Sequence, residues 1–146
     1  MGAATIAIAL AVLMWPEAER HSATRTPEKH LPFGSAEQAY ASKLRLKSLA
    51  LSRAENFLNQ EVTTLSGNLI NTGELTVANV EVNIEFSDQF GQNILRESRL
   101  LFLQASPPLV PGGQRAFEIS FEHIPYTWNV QQPRVQVSGI LFTENK

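Results

Sequence analysis

The chain has 146 residues, of which 43% are hydrophobic and 18% charged, and its formal net charge is −2. That length accommodates one domain with a sizeable core plus appendages, and the acidic balance argues against a nucleic-acid footprint, which needs clustered Lys and Arg. There is no cysteine, which excludes disulfides, thiolate catalysis and cysteine-ligated zinc or iron–sulfur sites together.

Residues 3–15 carry no charge, and Ile6, Ile8, Leu10, Leu13 and Trp15 mark this stretch as a membrane anchor. A helix over residues 1–15 is about 22 Å long, against a hydrocarbon core of about 30 Å. A signal-peptide core, a short or truncated anchor and a buried helix are therefore the alternatives. Nothing basic precedes the run, and Glu17-Ala18-Glu19 is a poor small-x-small cleavage site, which favours an uncleaved anchor ending at Trp15-Pro16. Arg20, Arg25 and Lys29 follow it, so the positive-inside count puts the C-terminal flank in the cytoplasm; Glu17, Glu19 and Glu28 weaken that count.

Residues 16–42, broken by Pro16, Pro27, Pro32 and Gly34, read as a linker. Within it, Ser35-Ala36-Glu37-Gln38 is a capping box for a short helical turn through Ala41. Residues 43–146 read as the folded domain. Leu44 and Leu46 share one parity and Leu49 and Leu51 the other, which predicts a bulge or a strand that crosses between sheets. After a loop over residues 54–60, a second strand over 61–71 turns Leu65, Gly67 and Leu69 to one face. Asn71-Thr72-Gly73-Glu74 is turn chemistry, with positive φ expected at Gly73.

The third strand, residues 77–87, contains Val80-Glu81-Val82-Asn83-Ile84-Glu85-Phe86-Ser87, an unbroken apolar–polar alternation. Period two is what a half-buried strand requires, because successive side chains point to opposite faces. Asp88-Gln89-Phe90-Gly91 turns it into a fourth strand over 92–103. A Pro- and Gly-rich crossing loop over 106–113 leads to a fifth strand over 114–123, and the last spans 133–143. Six such strands with turn signals between them predict an all-β antiparallel sandwich. Val80, Val82, Ile84, Phe86, Phe117, Ile119, Phe121, Val135 and Val137 are its expected inward face.

The run Ser66-Gly67-Asn68-Leu69-Ile70-Asn71-Thr72-Gly73, then Val80-Glu81-Val82, residues 86–91, and Leu109-Val110-Pro111-Gly112 before Phe117 resemble a widespread bacterial group. These are domains of the FxLYD and CARDB type, which read as G-x-(apolar)-x-N-x-G, an alternating strand, D-x-x-G and L-x-P-G. The stretch from Ala54-Glu55-Asn56-Phe57-Leu58 through His123-Ile124-Pro125 and Trp128-Asn129 is similar to a membrane-anchored branch of acidobacterial type. The resemblance covers residues 43–143. It implies an immunoglobulin-like sandwich of six to seven strands behind one N-terminal membrane helix, on the periplasmic or extracytoplasmic side. That placement opposes the positive-inside count. The resemblance brings no catalytic residues, and no cofactor is expected.

Other constellations read as scaffold. His123 falls by alternation on the Phe117/Ile119/Phe121 side, away from Glu118 and Glu122, so it is expected to be an edge histidine rather than a metal ligand. Glu81 and Glu85, two alternations apart, are about 13 Å apart, too far for a paired-carboxylate site, and read as solvated face. Asp88 is the single aspartate and lies in a turn. Two surfaces stand out as a candidate interface. Tyr126 and Trp128, on a Pro-flanked loop, have the composition of interface contacts, unless Trp128 folds back to cap the sandwich. Leu101 and Leu103 belong to a run with apolar residues on both faces. The expectation is a non-enzymatic accessory subunit, its partners membrane lipid and other membrane protein subunits, an energy-transducing electron-transfer complex being one such assembly. The alternative is a free-standing binding module for a small ligand, a glycan or the cell wall.

Overall fold

In the computed structural model, which describes residues 29–103 and 105–144, alternation along the chain becomes two antiparallel sheets of three strands. β1 (Leu44–Glu55), β2 (Glu61–Asn71) and β5 (Gln114–Phe121) form one, in the order β1-β2-β5. β3 (Val77–Ser87), β4 (Asn93–Leu100) and β6 (Arg134–Phe142) form the other, in the order β4-β3-β6. The two pack as a β-sandwich. No helix among the described residues is long and apolar enough to cross a membrane; the anchor expected over residues 1–15 lies outside them.

The alternation of β3 does what its period dictates. Val80, Val82, Ile84 and Phe86 are completely buried, and Leu65 and Leu69 of β2 with Phe117, Ile119 and Phe121 of β5 complete the core. Each such side chain contributes about 1.5–3 kcal/mol of hydrophobic stabilisation. Phe86 meets Phe121 edge-on across the sheets, with ring centroids 4.9 Å apart. Val135 and Val137 also pack against this core but stay half-buried, because β6 is an edge strand among the described residues.

The parity change in β1 is a bulge. Register runs from Lys47 opposite Asn68 to Ala50 opposite Ser66, so Ser48 and Leu49 together oppose Gly67, and Ser48 takes φ 56°. The strand stays within its sheet. Gly67 is needed there, since a Cβ would lie 2.7 Å from Leu49 Cδ2 and 2.9 Å from Phe117 Cζ.

The stretch read as linker is partly fold. α1 (Ser35–Ala41) buries Tyr40, whose ring stands edge-on to Phe142 at 5.3 Å. The expected capping box does not form: Gly34 is the N-cap and makes no side-chain bond, so Ser35 already lies inside the helix. Gln38 instead donates to the Phe33 carbonyl at 2.9 Å. Gly73 is likewise not a positive-φ glycine; that conformation falls at Gly91 and Gly112. Its lack of a side chain serves Tyr40, because a Cβ at Gly73 would collide with the Tyr40 hydroxyl.

Beneath that hydroxyl sits Asn71, completely buried. Its Oδ1 accepts from Tyr40 (2.7 Å) and from the Gly73 amide (3.2 Å), and its Nδ2 donates to the carbonyls of Leu75 (2.7 Å) and Leu109 (3.2 Å). All of its hydrogen-bonding capacity is used, as burial demands.

Glu81 departs most from expectation. Alternation places it on the outer face of β3, yet it is only 5% exposed. Residues 29–33 cover it: His30 Nδ1 lies 3.0 Å from Oε1, and the Leu31 amide and Ser138 hydroxyl each donate at 3.4 Å. The Pro32 carbonyl accepts from the Ile140 amide at 3.0 Å. This strap fits because residue 139 is glycine; a Cβ there would lie 2.7 Å from that of Leu31. Alternation fixes a residue's face but not what later covers it.

Candidate docking surface

The connections β1–β2, β3–β4 and β5–β6 close the same end of the sandwich, as the terminal pairs Glu55 with Glu61, Ser87 with Asn93, Thr63 with Phe121 and Glu85 with Arg134 require. Two of them are built alike. In Asn56-Phe57-Leu58-Asn59-Gln60 the Asn56 Oδ1 accepts the amides of Leu58 (2.9 Å) and Gln60 (3.0 Å). In Asp88-Gln89-Phe90-Gly91-Gln92 the Asp88 Oδ1 accepts those of Phe90 (2.8 Å) and Gln92 (2.9 Å). The fourth residue is left-handed in both, Asn59 with φ 58° and Gly91 with φ 77°, the conformation that Asn and Gly tolerate best. A side-chain oxygen that gathers two amides satisfies the turn backbone internally. The apolar side chains are then left outside. Phe57, Leu58 and Phe90 are among the most exposed large hydrophobic residues of the described chain.

The third connection is stitched to the second. The Asn129 amide donates to the Ser87 carbonyl at 2.9 Å, and Asp88 and Trp128 form an isolated bridge. Trp128 folds inward: it is 8% exposed, edge-on to Phe86 at 5.4 Å, and its Nε1–H donates to the Gln131 carbonyl at 3.2 Å. The Arg53 guanidinium lies over its ring at 5.7 Å. Trp128 therefore caps the core, the second of the two readings its sequence allows, and only its edge faces the surface. Tyr126, two residues earlier, is 99% exposed. Phe90, Tyr126 and Trp128 enclose a shallow groove of about 300 Å³ with Asp88, Gln89 and Thr127. Beyond it Val130 holds φ 61°, a strained conformation for a β-branched residue.

Leu101 and Leu103 do not join this surface. β4 ends at Leu100, short of the expected 103, and the chain then leaves the ladder. Leu101 is half-buried and donates to the Val80 carbonyl at 2.9 Å, Phe102 is buried beneath the Arg115 guanidinium at 4.3 Å, and Leu103 is 84% exposed. The Asn79 side chain holds both backbone groups of Phe102, its Nδ2 donating to the carbonyl at 3.4 Å and its Oδ1 accepting from the amide at 3.3 Å. From Asn79 to Ser87 is eight residues along β3, so the Leu101–Leu103 region and the Tyr126 tip are roughly 26 Å apart. Sequence reasoning missed Phe57, Leu58 and Phe90. The available signal was an aromatic or leucine inside Asn- and Asp-headed turns, where polar residues are usual.

No group of three or more His, Asp or Glu that could hold a metal occurs among the described residues. β5 stops at Phe121, short of the expected 123, so His123 is exposed in the connection beyond it, and Glu85 pairs with Arg96 at 2.6 Å. No protein-family model, curated protein or solved structure matches the chain.

Proposed function

We propose that the chain is a non-enzymatic, membrane-anchored domain of immunoglobulin-like topology that acts as an accessory subunit, docking onto a larger membrane assembly through the tip formed by its three connections. The orders β1-β2-β5 and β4-β3-β6 support the immunoglobulin-like reading: they correspond to strands A-B-E and C′-C-F of such a sandwich, with no strand in the place of G among the described residues. The observation that carries the docking reading is the pair of like-built turns that hold Phe57, Leu58 and Phe90 in solvent beside Tyr126. Rigid apolar anchors on a satisfied backbone have little left to lose on binding, as interface hot spots require.

The groove between Phe90 and Tyr126 favours the alternative of a free-standing ligand-binding module, since small ligands need a concavity. Such a site also needs converging polar groups, and the Asp88 Oδ1 is already committed to two turn amides. Docking is the better fit.

Purification of the native protein in mild detergent tests it. A partner should co-migrate with the wild type and be lost from a Phe57→Ser/Phe90→Ser/Tyr126→Ser variant; a partner-free, monodisperse wild type defeats the proposal. Protease added to intact spheroplasts should remove the domain, and protection until lysis would place it on the other side of the membrane.

A further inference from the structure

We propose that the tip binds a protein surface that is apolar at its centre and cationic at its rim. The inference rests on the docking reading above and specifies its partner. Residues 56–60, 88–92 and 122–133, the three connections, contain Asp88 and Glu122 and no Lys or Arg. Glu55 and Glu61, at the base of the first hairpin, are acidic as well and exposed. Three arginines stand nearby, against Glu55, Glu61, Glu85, Asp88 and Glu122: Arg53 is engaged by Glu61 and lies over Trp128, Arg96 is paired with Glu85, and Arg134 opens β6 opposite the same Glu85. The tip therefore has an apolar centre and a net acidic rim, while Lys43, Arg45 and Lys47 cluster around the other end of β1.

That pattern separates the potential occupants. An anionic bilayer is favoured by Lys and Arg beside the inserting aromatics, at about 1 kcal/mol each near the surface, and repels carboxylates placed there. A second copy meeting tip to tip would set the same glutamates against each other. A protein surface with Lys or Arg around an apolar centre buries the aromatics, pairs the carboxylates at its edge and is steered to the tip in encounter.

Site-specific photocrosslinking of the full chain in its native membrane tests this, with benzoylphenylalanine replacing Phe57, Phe90 or Tyr126 and, as a control, Leu103. Illumination should give the same protein adduct at the three tip positions and none at Leu103, with the crosslinked peptides containing Lys or Arg. Glu55→Lys/Glu61→Lys/Glu122→Lys should lower the adduct yield at least about fivefold, provided circular dichroism shows the variant folded. Adducts that survive the charge reversal overturn the cationic rim and leave docking intact. Adducts to lipid or to a second copy of the chain overturn the partner class. No tip adduct overturns the docking reading together with the inference.

Discussion

Asn71 and the pair Asn56 and Asp88 use the same chemistry at opposite ends of the sandwich. In each case a short side chain gathers hydrogen-bonding backbone groups at a point where the chain reverses. At the Asn71 end, α1 supplies Tyr40 and the crossing loop supplies Leu109, and the polar hub becomes part of the core. At the other end the described chain brings nothing over Phe57, Leu58 and Phe90. The same local device seals one end and leaves the other as a platform. What differs is the cover, and cover is a tertiary property.

If this contrast is right, mutations at the two ends should act on different quantities. The largest effect is expected at Asn71→Ala, which strips the Gly73 amide of its acceptor, takes one bond each from the Tyr40 hydroxyl and the carbonyls of Leu75 and Leu109, and leaves a void among them. Equilibrium denaturation should show a loss of about 3–5 kcal/mol; a loss below about 1 kcal/mol would mean that the network does not hold the closed end. Trp128→Ala should cost a similar amount, about 3–5 kcal/mol, by opening a cavity under the tip, and Ile84→Ala about 2–5 kcal/mol. Next comes Gly73→Ala, which drives a methyl into Tyr40 and should lower stability by about 1–3 kcal/mol. Val130→Gly should act in the opposite direction, raising the unfolding free energy by about 1 kcal/mol through relief of its left-handed backbone. Phe57→Ser, Phe90→Ser and Tyr126→Ser should each shift stability by no more than about 0.5 kcal/mol while abolishing docking. A large thermal destabilisation from any of these three would show that the tip is packed rather than presented.

The sandwich was legible because β2, β3 and β5 obey period two so strictly. Seven of the nine residues expected inside are buried, and the two in β6 are half-buried at an edge. The bulge in β1 was legible too, since a parity flip needs one extra residue. The strap was not. Nothing in His30-Leu31-Pro32 announces that it will lie across Glu81, because the enabling feature is the missing side chain of Gly139 more than a hundred residues away. Gly73 teaches a related lesson. Its place in a turn suggested backbone freedom, whereas its use is room for Tyr40. At the tip, Tyr126 is legible from its Pro-flanked loop, whereas the exposure of Phe57 and Phe90 follows from turn geometry, in which Asn56 and Asp88 satisfy the backbone and turn the apolar side chains outward.

The strap also decides how the domain bears a mechanical load. A pull on the chain ahead of Lys29 reaches the Leu31–Gly139 contact, the Glu81 carboxylate and the Pro32–Ile140 hydrogen bond before it reaches α1. Glu81 belongs to β3, the central strand of its sheet, so tension passes into the best-anchored element of the fold. α1 and Tyr40, which hold the closed end, are loaded only after the strap has given way. Residues 29–33 thus serve as a strain relief, and a tug from upstream loosens a clasp before it disturbs the core.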